Sequence, residues 1–557
     1  MRIGNASGFY GDRASAWLEM LDGGRLDVLT GDYLAELTML ILGRDRMKDP
    51  ATGYAKTFLR QLEGVLGTAL ERGTKLVTNA GGLNPAGLAE AVERLAERLG
   101  LHVRVGYVTG DDVTERAAAL GLGTPLTANA YLGAFGIAEC LTEGADIVVT
   151  GRVTDASLVV GPAVAHFGWT RDDLDALAGA TVAGHILECG AQATGGNFAF
   201  FTELPDGGRR PGFPLAELRA DGSAVITKHP GTGGAVTVET VTAQLLYEIG
   251  APAYLGPDVV THFDTIELRA DGPDRVLVQG VRGSLPPPTL KVGVNTLGGF
   301  RNSMTFVLCG LQIEQKAALV RDQLEAAVGG DGLEFVLART DRPDAEDEQA
   351  ASALLAVHLK SQDPKRAGRT FSQAAVELAL SSYPGLTLTG PPGDATPFGV
   401  FSARFVPHEA VEHVAVLPDG TRRPITPPAK TADPPPAKSP ETGSYRGPTT
   451  RAPFGTLFGA RSGDKGGDAN VGVWARDDAG YAWLRGFGTD EFKALLPETR
   501  DLTVERFELP NLRAVNFVVH GILGEGVAAS TRFDPQGKAL GEWLRSRVVD
   551  LPSELLP

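Results

Sequence analysis

From Met1 to about Gly190 the chain repeats one pattern of apolar and polar positions. A short apolar run enters a turn rich in Gly, Asn, Asp, Ser or Thr, and a helical spacing of apolar residues follows. Arg2-Ile3-Gly4 leads to the turn from Asn5 to Arg13, and Leu26 to Leu29 leads to Thr30-Gly31-Asp32-Tyr33. Lys75-Leu76-Val77 leads to Thr78-Asn79-Ala80-Gly81-Gly82 and a helix opening at Asn84-Pro85, where proline suits the first turn. Val103-Arg104-Val105 leads to Thr109-Gly110-Asp111-Asp112. Ile147-Val148-Val149 is apolar throughout, as a strand buried on both faces is, and leads to Thr150-Gly151-Arg152, Thr154-Asp155 and a helical run from Ala156. This alternation predicts an α/β fold, a mostly parallel sheet with helices on both faces. Its turns then share one sheet edge, the edge at which such sheets bind ligands. Asn5, Ser7, Asp12, Arg13, Asp32, Asn79, Asn84, Asp111, Arg152 and Asp155 are expected to converge there.

Beyond Thr261 the pattern changes to a hairpin around Asp271-Gly272, strands at 290–294 and 303–308, a helix at 313–328, a strand at 333–338 and a helix at 346–359. More strand-like sequence follows at 398–416, with His408 and His413 expected on the surface. The organisation expected is an α/β core over 1–260, an α+β continuation over 261–416, a Pro-rich linker over 417–453 and a small α+β sandwich over 454–557. The linker has almost no apolar residues and is expected to behave as a semi-extended tether. The last domain is expected to end in a helix at 538–549.

A chain of 557 residues exceeds one core and implies roughly two to four domains. Its net charge of -16 opposes sequence-independent nucleic-acid binding, but leaves room for a local basic pocket. Cys140, Cys189 and Cys309 form no disulfide framework and no CxxC metal spacing, which suits a reducing cytosol. With no signal-like N-terminus and no apolar run long enough for a bilayer, a cytoplasmic protein without nucleic-acid or membrane partners is expected. A parallel-sheet protein of this apolar content is also expected to form a homo-oligomer.

Four stretches carry candidate chemistry. Arg152 can clamp a carboxylate or phosphate in a bidentate fork, and Asp155 reads as a helix N-cap, as the partner of Arg152 or as a proton carrier. His185 and Glu188 share a helix face as a surface pair, as metal ligands or as an acid–base pair, and Cys189 reads as a buried thiol or a nucleophile. Gln192, Thr194, Gly195, Gly196 and Asn197 form a glycine loop, as do Pro230 to Gly234 after Lys228-His229, where Gly233 and Gly234 precede a helix. Neither loop has the Walker or dinucleotide spacing. Finally, Arg461, Ser462, Asp464, Lys465, Asp468 and Asn470 crowd into one Gly-rich turn between two strands, either a charged surface hairpin or a ligand loop.

The strings SGFYGDR (7–13), TNAGGLNP (78–85), TGRVTDASL (150–158), ECGAQATGGNF (188–198), HPGTGGAV (229–236) and LLYEIG (245–250) resemble the acyclic terpene utilisation (AtuA-type) family, in order, over about 1–407. ARSGDKGGDAN (460–470) resembles the small ferredoxin-like domain that accompanies it. The resemblance implies breakdown of branched acyclic terpenoids through acyl-CoA thioesters, which makes CoA a possible part of the substrate; it assigns no cofactor and no metal ligands. The cluster of Asn, Asp, Arg and Gly-rich turns, combined with that pathway, points to a hydratase- or lyase-type enzyme. Arg152 or Lys228 then holds a carboxylate or phosphate, Asp155 or Asp12 handles the proton, and the amides of Gly195, Gly196, Gly233 and Gly234 face an enolate oxygen. Ser7, Arg13, Asn79, Asn84, Gln192, Asn197, Arg461, Asp464, Lys465 and Asn470 complete the expected substrate site. A non-catalytic assembly subunit, with the tethered domain as its docking arm, is the second expectation. A nucleotide- or sugar-phosphate enzyme is the third.

Overall fold

The computed structural model describes residues 1–436, 445 and 447–556. An eleven-stranded sheet organises the larger of two compact units, which comprises 1–295, 401–527 and 534–557. At its centre Arg2–Asn5, Val28–Gly31, Lys75–Thr78, Ile147–Thr150 and Val105–Thr109 run parallel, so their carboxyl ends line one edge. Successive residues of these strands feed two cores. Val28, Val77 and Val148 face one, with Ile137, Leu158 and Ile186 of the helices Phe135–Thr142, Ser157–Phe167 and Leu174–Glu188. Leu29, Leu76, Ile147 and Val149 face the other, with Trp17, Phe58 and Val92. This two-sided burial is the reason the strands read as continuous apolar runs.

The sheet as a whole is mixed rather than mostly parallel. Pro214–Leu218, Ala224–Lys228, Arg275–Gln279 and Glu267–Ala270 extend it antiparallel on one side. Val414–Val416 and Arg422–Pro424 extend it antiparallel on the other. The hairpin expected at Asp271-Gly272 is thus present, but as the margin of the main sheet. Arg422–Pro424 also shows that the expected tether is folded at its start, and Ala432 N donates to Pro286 O at 3.0 Å. Proline is tolerated because it closes an outermost strand. The tether expected at 437–444 and 446 lies outside the described residues. His408 and His413 are not on the surface: His408 is buried with Nε2 3.0 Å from Pro287 O, and burial pulls His413 down to about 3.

Within the same unit, Phe458–Lys465, Asp468–Ala475, Ala514–Val519 and Val504–Leu509 form an antiparallel sheet with its own core, covered by helices that include Leu540–Ser546. The helix expected over 538–549 is confined to that span, and Val548–Pro552 is a strand paired with Thr449–Pro453. Trp474, Leu509 and Ala514 of this region belong to the core that contains Ile3 and Val148.

The second unit comprises 296–400 and 528–533. Its helix Ile313–Val328 and strand Leu333–Ala338 stand as expected. The helix expected at 346–359 is instead the strand Ser352–Ser361, hydrogen-bonded on both sides. Ala353, Leu355, Val357 and Leu359 alternate into one core, so a period of two overrides the helical propensity of Ala and Leu.

Candidate active site

The site is built outward from the turn after Ile147–Thr150. Gly151 fits because a Cβ there would stand 2.3 Å from Asp111 Oδ1. Arg152 N and Asn129 Nδ2 both donate to Asp111 Oδ2 at 2.8 Å, which fixes the turn; burial pushes the Asp111 carboxyl up to about 7. The buried Arg152 guanidinium donates to Leu34 O at 2.8 Å, stands 2.8 Å from Asp155 Oδ1 and lies 4.3 Å from the centre of the Tyr131 ring. Lys291 Nζ lies 4.6 Å from the same ring and 3.6 Å from Glu36 Oε1. One aromatic ring thus carries two cations. Asp155 is the partner of Arg152 and not a helix cap, since the helix opens after Ala156 with no side-chain cap. Its side chain keeps 32% exposure against 5% for Arg152, so the pair opens outward through the carboxylate.

Around this pair stand buried carboxyls whose neutral form is favoured. Asp32 is buried and accepts from Asn79 Nδ2 at 2.6 Å and Leu34 N at 3.1 Å. Burial, and then Asp155, push it well above the usual carboxylate range. Glu188 ends the helix Leu174–Glu188, with Oε1 2.9 Å from His185 Nδ1. Burial, Asp155 and Glu248 push Glu188 well above its ordinary value, while burial pulls His185 down to about 4. Burial thus favours the neutral form of each, and Glu188 Oε2 and His185 Nε2 have no hydrogen-bond partner. These residues are not a surface pair, since both side chains are buried or nearly so; among the described residues no three His, Cys, Asp or Glu side chains converge at metal spacing. Burial raises the Cys189 thiol far above its ordinary value, which leaves it a packing residue.

The C-terminal sheet closes over the far side. Its polar motif lies on the strands Phe458–Lys465 and Asp468–Ala475, and only Gly466-Gly467 form the turn between Lys465 and Asp468. Asn470 Nδ2 donates to Leu246 O at 2.8 Å, and Glu248 N donates to Asn470 Oδ1 at 2.9 Å. Asn516 Nδ2 donates to Gly250 O at 2.8 Å. Arg461 donates to the Gln192 side chain and lies 4.3 Å from the centre of the Tyr247 ring. Lys465 Nζ donates to Glu248 O at 2.9 Å. Burial, Glu248 and Glu36 push Asp464 up to about 8. Gly463 and Gly472 permit this approach, since a Cβ on either would stand 2.5–2.6 Å from Tyr247 or Leu246 side-chain atoms.

Other expected site residues are occupied elsewhere. Asp12 accepts from Gly8 N at 2.9 Å and Arg13 N at 2.8 Å, so it closes its own turn. Arg13 pairs with Glu19 at 2.7 Å and packs on Phe213. Ser7 Oγ donates to Phe9 O at 3.0 Å. Asn84 is a helix N-cap, accepting from Gly87 N at 2.9 Å. Lys228 pairs with Asp274 at 3.1 Å and donates to Thr232 O at 2.7 Å, a strut under the glycine loop. The amides of Gly195, Gly196 and Gly234 donate to Gln192 O, Ala191 O and Asp206 Oδ2, and Gly233 bridges Pro211; none of these three amides faces an enolate. Asn197 follows in a left-handed conformation, φ 56°. The residues that the motif search passed over are Glu36, Tyr131, Tyr247, Glu248 and Lys291. Only the LLYEIG string marked any of them, and no turn signal did.

Residues 1–417 match the family model described as acyclic terpene utilisation family protein AtuA, and residues 453–550 match the AtuA ferredoxin-like domain. The chain belongs to the AtuA family. Membership implies a role in acyclic terpene utilisation. The cluster just described draws on both of the family's segments, the Arg152, Glu188 and Lys291 groups from the first and Asp464 and Lys465 from the second. No curated protein matches the chain. Among the described residues of this AtuA-family chain, no helix is long and apolar enough to cross a membrane.

Proposed function

We propose that the chain is an acid–base enzyme of acyclic terpene utilisation, acting on a CoA-linked branched acid in a hydratase- or lyase-type reaction. The observation that supports this reading is the pairing of opposites: the Arg152–Asp155 ion pair, which reaches solvent through Asp155, beside the His185–Glu188 pair, where burial favours the neutral carboxyl. A buried carboxyl whose neutral form is favoured, beside a carboxylate ion-paired with an arginine, can supply an acid and a base at one pH. In the hydration direction Asp155 takes a proton from water. The hydroxyl oxygen bonds to the β-carbon of an unsaturated thioester, the double-bond pair moves toward the carbonyl, and Glu188 gives its proton to the α-carbon. Arg152 stabilises the negative charge that builds on the carbonyl oxygen. The proton gained by Asp155 and the one lost by Glu188 exchange with solvent, so the cycle closes. The reading transfers the anion-holding role to Arg152 rather than Lys228 and the proton role to Asp155 rather than Asp12, whose oxygens are occupied.

The test is incubation of the purified chain with saturated, unsaturated and 3-hydroxy branched CoA thioesters, read by mass spectrometry. A gain or loss of one water, or loss of an acyl fragment, is expected, and Asp155→Asn is expected to cut the rate about 10²-fold or more with the fold retained. No mass change across the panel overturns the reading in favour of an assembly subunit. Unchanged turnover by Asp155→Asn removes that residue from the chemistry.

A further inference from the structure

Asp111 is one of the turn residues expected at the ligand-binding edge, and the chemistry set out above gives it no part. It is buried just past the strand Val105–Thr109. Its Oδ2 accepts two bonds of 2.8 Å from two different segments. One comes from Arg152 N, in the turn that carries the guanidinium. The other comes from Asn129 Nδ2, on the strand Thr127–Ala130 that runs into Tyr131. The Asp111 main chain grips the same strand, since Ala130 N donates to Asp111 O at 2.8 Å. The Tyr131 ring lies 4.3 Å from the Arg152 guanidinium, so Asp111 joins the main chain of Arg152 to the platform of its side chain. The guanidinium makes its own bonds to Leu34 O and Asp155, which leaves Asp111 acting on Arg152 through the main chain. Two details set this join apart from ordinary turn packing. Asn129 is buried and its Oδ1 has no hydrogen-bond partner, so the bond to Asp111 is the one described bond of its side-chain amide. Gly151 lies against the same carboxyl, where a Cβ would stand 2.3 Å from Oδ1 and displace it.

We propose that Asp111 is a positioning residue for Arg152, bracing the turn that bears the guanidinium and the Tyr131 ring in register with each other. The inference deepens the acid–base reading and rests on it for the part Arg152 plays. A guanidinium that stabilises charge on a carbonyl oxygen must be aimed before the reaction, since a displacement of about 1 Å can cost about 10²-fold in rate. The ion pair with Asp155 is a poor source of that aim, because Asp155 keeps 32% exposure and changes its protonation in the cycle. The main chain of Arg152 and the ring beside its side chain are the fixed references, and Asp111 is bonded to the segments of both. Those segments also touch directly, Leu132 N donating to Arg152 O at 3.2 Å, and the two 2.8 Å bonds at Asp111 brace that longer contact. Protonation modulates the brace. Burial pushes the Asp111 carboxyl up to about 7 against the bonds from Arg152 N and Asn129, and Asp112, itself paired with Arg46 at 2.8 Å, adds to the rise. The ionised form is the stronger acceptor for both donors, so the brace tightens as pH rises through neutrality.

The test uses the full chain and reads position before turnover. In Asp111→Ala, hydrogen exchange is expected to be at least about tenfold faster at the Arg152 amide and in 129–132 together, with the helix Leu174–Glu188 unchanged. Asp111→Asn is expected to keep wild-type protection at both, because its amide oxygen accepts the same two bonds. Should Asp111→Ala not fold, Asn129→Ala takes its place; it is expected to loosen 129–132 and to leave the Arg152 amide protected. On the panel of branched CoA thioesters, Asp111→Ala is expected to lower kcat and kcat/KM alike by at least about tenfold. Asp111→Asn is expected to lose the limb of the pH profile near pH 7 that ionisation of Asp111 gives the wild type, whereas a bond that only supports the fold would leave that profile unmoved. Protection of the Arg152 amide that survives Asp111→Ala, loosening confined to one of the two segments in that variant, or failure of Asp111→Asn to keep protection overturns the proposal. So does unchanged exchange of 129–132 in Asn129→Ala, full turnover by Asp111→Ala, or one pH profile shared by the wild type and Asp111→Asn. If the exchange results hold while the wild type changes no thioester, the brace stands and the acid–base reading falls, so the two fail separately.

Discussion

Asp464 illustrates how far one residue's chemistry depends on where the fold carries it. It sits in a Gly-rich string that would be a solvated turn in isolation, yet the hairpin places it against Glu248 and Glu36, and burial with those two neighbours pushes its carboxyl up to about 8 from an ordinary 3.8. A raised folded-state value means that the folded chain binds a proton which the unfolded chain has released. The associated stability is complete below about pH 4 and is lost as pH rises toward 8, at up to about 1.4 kcal/mol per pH unit. Asp464→Asn removes this titration. The melting temperature of the variant minus that of the wild type is therefore expected to rise from pH 4 to pH 8 and to level off above; a flat difference across that range would show that Asp464 ionises normally in the folded chain. Asp12 and Lys228 show the opposite case. Both are charged residues in the right kind of turn, and both are engaged by nearby backbone, which is why neither reaches the cluster.

At the level of elements, the decisive contact is between the strand Asp468–Ala475 and the segment that follows the helix Val238–Leu245. A Cβ on Gly472 would stand 2.6 Å from Leu246 Cβ and 3.0 Å from Leu246 O, closer than packed atoms allow. Gly472→Val is expected to cost about 1–3 kcal/mol by overpacking and to push the strand off its seat. Hydrogen exchange reads this directly: the Glu248 amide, which donates to Asn470, is expected to exchange at least about tenfold faster, with the helix Ile313–Val328 unchanged. Equal protection at Glu248 would mean that the contact yields without strain. This contact also marks the limit of what the sequence discloses. The parallel strands and their turns were legible, because each apolar run and its glycine turn are local signals, and Arg152 and Asp155 were found that way. Ser352–Ser361 was misread because Ala and Leu favour a helix until partners on both sides supply a sheet. Glu36, Glu248 and Lys291 carried no local signal of chemistry. Each is a single charge in an ordinary helix, turn or strand, and only the topology of the chain brings them to Asp155.

The larger unit draws on both of the segments that the family models match separately. Trp474 stacks on Phe198 at 6.2 Å and shares the apolar core of the parallel strands. Arg476 forks onto Glu203 at 2.8 and 2.9 Å. The deciding residues are two asparagines, Asn470 and Asn516, both with no exposed surface and bonded to each other at 2.9 Å. Their amides hold Leu246 O, Glu248 N, Ile249 O and Gly250 O, backbone groups that no other described bond satisfies in that turn. Buried, fully paired amides fix the C-terminal segment against the turn 246–250, which a semi-extended arm would not need. Removing one member leaves the other groups unpaired in the interior, at about 1–3 kcal/mol for each. Calorimetry on the full chain is therefore expected to show 453–550 unfolding together with the parallel-sheet core. In Asn470→Ala the C-terminal segment is expected to leave first, as a separate transition at lower temperature, and Asn470→Asp to fail likewise because it replaces a donor with an acceptor opposite Leu246 O. If the wild type itself melts its C-terminal segment separately, or Asn470→Ala melts as the wild type does, the two segments are independent domains in contact.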